Sequence, residues 1–99
     1  MSPLDQNIDA KLKRSRKELS RNAVDFLSLD IETAFTFINV ARTATEPEKK
    51  LRNQDHARRA YDKVGELAER LPLSPEQYRQ IAEQRSNLKA ELETLGERF

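Results

Sequence analysis

The residues with the clearest potential for acid–base chemistry surround the single histidine of the chain, His56. Asp55 precedes it and Tyr61 follows, so a carboxylate, an imidazole and a phenol share one short stretch. General acid–base catalysis also needs a second positioned group in a pocket that excludes water, and a chain of 99 residues seldom encloses one. The surrounding residues 52–59 are rich in charge, which is typical of an exposed helix. We therefore expect His56 at the surface and no enzymatic activity.

Residues for metal or cofactor chemistry are scarce. There is no Cys, so thiolate nucleophiles and Cys-based zinc or iron–sulfur sites are excluded, and no Glu-x-x-His motif occurs. Gly65 and Gly96 stand alone, so the chain has no glycine-rich phosphate loop. We expect no cofactor, no bound metal and no small-molecule substrate. Gly65 interrupts a strong helical pattern, which indicates either a close crossing by another helix or a kink that shapes a groove.

Positive charge is concentrated in the first quarter of the chain. Residues 1–22 carry six bases and three acids, whereas residues 23–99 carry twelve bases and fourteen acids. On a helix, four of these bases would share one flank: Lys13, Arg14, Lys17 and Arg21. Such a flank is either a solvated helix surface or a salt-sensitive contact for nucleic acid or an acidic membrane. A small nucleic-acid-associated protein is therefore our alternative function.

The composition predicts a single all-α domain over residues 1–99. Leu, Ile, Val and Phe number 23, which is enough for one modest core. Only two Gly and four Pro are present, too few for the turns of a strand-rich fold, while strong helix formers dominate. We predict a small antiparallel helical bundle of three to four helices with short turns.

Start signals and apolar periodicity place these helices. Ser74, Pro75 and Gln77 form a capping box, and Thr45 and Asp30 are of the residue types that cap helices. The predicted helices cover residues 3–27, 31–44, 46–71 and 75–97, the first starting at Ser2-Pro3. Residues 30–97 form the predicted core; residues 1–28 are either a packed helix, which we favour, or a mobile basic arm.

The helix predicted at residues 31–44 has apolar residues on two adjacent sides, and the second side is a candidate protein-interaction surface. Phe37, Val40 and Ala44 lie on a second side of the helix predicted at 31–44, and they are either core or a groove for a partner helix. Arg85 falls on the apolar stripe of the last helix, where it either reaches the rim or meets a carboxylate of another chain. Leu92 belongs to a heptad-like edge of that helix, which could pair with a second copy.

The stretch from Asp30 to Pro72 resembles a tetratricopeptide-type helical hairpin. It comprises two predicted helices joined by a short turn, and Ala57, Tyr61 and Val64 follow a small–aromatic–small spacing. The resemblance implies a scaffold that binds proteins or peptides.

No apolar run reaches the roughly 18 residues of a membrane span, and the first residues lack the apolar core of a signal peptide. We accordingly expect a cytoplasmic protein. The predicted function is a non-enzymatic helical interaction or assembly module, whose partner is another protein or a second copy of the chain.

Overall fold

Three helices make up the fold in the computed structural model, which describes residues 3–99, with side chains from residue 10 onward. They are α1 (Pro3–Thr43), α2 (Pro47–Arg70) and α3 (Pro75–Thr94). The Phe37–His56 and Asp30–Lys63 contacts together show that α2 runs antiparallel to α1. The Arg58–Glu97 and Tyr61–Arg85 contacts show the same for α3 on α2. The predicted all-α bundle is confirmed. The predicted start at Ser2 lies outside the described residues.

The first helix is continuous, and the predicted break at residues 28–30 is wrong. Asp30 does not cap a helix; it lies within α1, where its Oδ2 is 3.8 Å from Nζ of Lys63 on α2. The buried row Leu27, Ile31, Ala34 and Ile38 passes through this point at steps of four and three residues. Since one side of the helix stays apolar and neither Gly nor Pro intervenes, nothing ends the helix at the predicted position.

The second helix begins one residue later than predicted, because Pro47 occupies its first turn. The preceding residue is Glu46, whose side chain makes no capping hydrogen bond, so Thr45 is not the cap that the sequence predicts. Pro47 has no N–H to satisfy, which reduces the need for a side-chain cap. The helix ends at Arg70, two residues before Pro72.

The third helix has the predicted capping box at its start. The backbone N–H of Gln77 donates to Oγ of Ser74 at 3.1 Å, and the N–H of Ser74 donates to Oε1 of Gln77 at 2.9 Å. The helix ends at Thr94, three residues earlier than predicted, because Gly96 adopts a φ of 99°. The N–H groups of Gly96 and Glu97 bond back to Glu93 and Leu92, as in a Schellman motif.

The core is a single cluster in which each helix contributes a few large side chains between small ones. Its fully buried large members are Leu27, Ile38, Val64, Ile81, Leu88 and Leu92. Leu92 therefore belongs to the core of a single chain, and its predicted place on a self-association edge is wrong. A second copy of the chain could reach the Leu92 side chain only if the helices of the bundle separated.

Candidate interaction surface

The N-terminal part of α1 extends beyond the other two helices. α1 contains 41 residues and α2 contains 24, so about two fifths of α1 exceeds the length of the helix packed against it. Residues 10–19 are all exposed, Ser20 is the first half-buried residue and Ala23 the first buried one. We refer to residues 3–19 as the overhang; at 1.5 Å per residue they span about 25 Å. The whole molecule is correspondingly elongated, 67 × 19 × 15 Å.

One side of the overhang is apolar. Leu12, Leu19 and Phe26 follow one another at seven-residue intervals and are 52%, 58% and 48% exposed. A seven-residue interval brings side chains back to nearly the same side of an α-helix. We call these three residues the apolar stripe. The side chains of Leu4 and Ile8, which the sequence places on the same row, lie outside the described ones.

The side of α1 that faces the bundle turns basic where the overhang begins. From Ala23 onward this side is buried, but one and two turns earlier it carries Ser20 and Arg16. A helix packed against this part of α1 would have to bury the Arg16 guanidinium, which is costly without a partner carboxylate. Arg16 therefore marks where the bundle ends.

The four bases predicted to contact anions are all exposed: Lys13, Arg14, Lys17 and Arg21. The structure places two of them, Lys17 and Arg21, in a groove of about 610 Å³ between α1 and the turn that joins α2 to α3. Arg16 lines the same groove. Lys13 lies one turn further out on the same side as Lys17, and Arg14 lies two turns before Arg21 on nearly the same side as that residue but does not line the groove.

The predicted surface around Phe37 is not open. The Phe37 ring packs against the core cluster and lies 5.0 Å from the imidazole of His56, centroid to centroid. α2 therefore covers this side chain, which agrees with the core alternative for Phe37 and not with the groove alternative. Val40 and Ala44 are half-buried, and their role in binding a partner stays a prediction.

The Arg85 side chain lies in the space that the missing side chain of Gly65 leaves open. The Arg85 Nε donates to the backbone oxygen of Tyr61 at 2.8 Å, and its guanidinium lies 3.8 Å from the centroid of the Tyr61 ring. This position places the guanidinium directly over Gly65, where a Cβ would overlap it. A side chain, not a crossing backbone or a kink, thus occupies the space beside the glycine. Arg85 is engaged within its own chain, which is not the partner contact that the sequence left open.

Residues 95–99 fold back onto α2. Oε1 of Glu97 is 3.3 Å from the Arg58 guanidinium, and the same guanidinium lies 4.0 Å from the Phe99 ring. Gln54 also donates to Glu97, at 2.6 Å. Phe99 therefore packs against α2 of its own chain, through Arg58 and Tyr61.

A second groove, about 460 Å³, lies between α2 and α3. Three carboxylates of α2 line it, from Asp62, Glu66 and Glu69, together with Tyr78 and Arg85. His56 is not among the residues that line it, so the acid–base trio considered from the sequence does not meet in this groove.

No protein-family model matches the chain, and no curated protein or solved structure is significantly similar to it. Over the described residues, no helix has both the length and the apolar character needed to cross a bilayer.

Proposed function

We propose that this chain is a non-enzymatic helical interaction module that binds an amphipathic helix of another protein along the overhang. The observation that carries the proposal is the apolar stripe, because Leu12 and Leu19 are more than half exposed on the overhang. Large apolar side chains repeated along one side of a helix are the usual contacts for a partner helix.

Charge favours an acidic partner over a second copy. The overhang contains five bases and three acids, a net charge of +2, so two overhangs side by side would repel each other. An acidic helix would instead be attracted before contact and could pair with Lys11 and Arg16, which flank the apolar stripe. The resemblance of residues 30–72 to a tetratricopeptide-type hairpin agrees with a binding scaffold.

Photo-crosslinking in the native cell tests this proposal. A benzoylphenylalanine at position 19 should form an adduct with another polypeptide, and the adduct should map to an acidic amphipathic segment. The matched control carries the same group at position 32, which is exposed on the same helix but lies away from the stripe. We expect Leu12→Gln to abolish the adduct at position 19 without loss of helicity, because Gln is a comparable helix former.

Equal adducts at positions 19 and 32, or none at position 19, would contradict the proposal. An adduct with a second copy would show an assembly module instead and would overturn the acidic-helix assignment.

A further inference from the structure

The groove between α1 and the α2–α3 turn is lined by positive and neutral groups. Arg16, Lys17 and Arg21 contribute the charges, and Ser20, Ser74 and Gln77 the neutral polar groups. Among the described residues that line it there is no carboxylate. A concave surface of one charge sign concentrates ions of the opposite sign.

The three bases of the groove are not neutralised by the ion pairs of the described residues. Those pairs involve Arg42, Arg58, Arg59 and Lys63 instead. Their partners lie on α1, α2, α3 and residues 95–99, away from this groove. The positive charge of Arg16, Lys17 and Arg21 is therefore available to an external anion.

The bases are spaced along α1 so that they meet a row of anionic groups. Lys13, Lys17 and Arg21 follow each other at four-residue intervals, about 6 Å along the axis, and Arg16 lies between them. Arg binds phosphate through two parallel N–H donors, and Lys binds it as a point charge. A single small anion would contact only one or two of these residues.

We propose that this groove, extended by Lys13, binds the backbone phosphates of a nucleic acid. A strand enters a concave groove, which a flat bilayer surface does not. The contact is independent of base sequence, because the charged side chains of the groove meet phosphates, which carry no base-sequence information. The two surfaces share Arg16, but this inference does not rest on the proposed function, since Lys17 and Arg21 lie on nearly the opposite side of α1 from Leu12 and Leu19.

Fluorescence anisotropy on the full chain tests the proposal with a labelled single-stranded DNA of about 20 nucleotides. With four basic side chains on phosphates, log affinity should fall against log salt with a slope of about −3. This slope corresponds to roughly 50-fold weaker binding on going from 50 to 200 mM salt. The triple variant Arg16→Gln, Lys17→Gln, Arg21→Gln should retain a slope of only about −0.7.

A variant with the same change in net charge provides the control. Lys49, Lys50 and Arg52 are exposed on α2 and take part in no ion pair of the described residues. Their replacement by Gln should leave affinity within about threefold of the original, because long-range charge effects are screened at a Debye length of about 10 Å.

Absence of binding by the original chain at 50 mM salt would overturn the proposal. Equal losses in both triple variants would also overturn it, since net charge alone would then account for the binding. Two further arms use tripolyphosphate and vesicles containing phosphatidylserine. Binding to vesicles without binding to DNA would assign the groove to lipid headgroups and overturn the nucleic-acid assignment.

Discussion

At the scale of single residues, the contact among Gly65, Arg85 and Tyr61 accounts for two features that look unfavourable in the sequence. A glycine inside a helix costs about 0.5 to 1 kcal/mol relative to Ala, and a charged residue on a core stripe must find a partner. Here the missing side chain of Gly65 makes room for the guanidinium, which stacks on Tyr61 and donates to its backbone oxygen. The two residues are therefore energetically coupled.

A double-mutant cycle measures this coupling. In an Arg85→Ala background, Gly65→Ala should stabilise the fold by about 0.5 to 1 kcal/mol, because Ala is the better helix former and nothing fills the space. In the original chain the same substitution displaces the guanidinium, so we expect a smaller gain or a net loss. Denaturant unfolding gives both values. Equal effects in the two backgrounds would show that Gly65 and Arg85 are independent.

At the scale of elements, the sequence predicts those features that depend on neighbouring residues. The capping box of α3 uses Ser74 and Gln77, three residues apart, and needs no knowledge of the rest of the fold. Asp30 has the right residue type for a cap, yet it pairs with Lys63 on another helix. That contact depends on the register of α1 against α2, which no local pattern encodes. The role of Asp30 is thus set by tertiary contact, whereas the continuity of α1 follows from its unbroken apolar side and the absence of Gly and Pro between residues 28 and 31.

The capping box can be tested through Ser74→Ala. Loss of the side-chain acceptor leaves the N–H of Gln77 without its partner, and we expect a cost of about 0.5 to 2 kcal/mol in the free energy of unfolding. Ser86→Ala provides the control, because Ser86 is exposed in the interior of the same helix, where Ala is favoured. A cost below a few tenths of a kcal/mol for Ser74→Ala, or an equal cost for both variants, would contradict the assigned cap.

At the scale of the whole molecule, helix lengths separate a packed part from an uncovered part. α2 and α3, with 24 and 20 residues, cover one end of the 41-residue α1 and leave the overhang bare. The basic residues that the sequence identifies are accessible to a partner because α1 is longer than the helices that pack against it. Arg16, on the bundle-facing side, is the residue that keeps the uncovered part from continuing the core.

Arg16→Leu tests whether that one charge limits packing. The new leucine would extend the buried side of α1 outward by one turn beyond Ser20 and widen the apolar stripe beside Leu12 and Leu19. Since larger exposed apolar patches promote association, we expect the variant to dimerise at concentrations where the original chain sediments as an elongated monomer. Arg14→Leu is the matched control: it removes the same charge and adds the same side chain, but on the side of α1 away from the stripe. Association by both variants would assign the effect to general hydrophobicity. If Arg16→Leu stays monomeric, the charge of Arg16 is not what leaves the overhang uncovered.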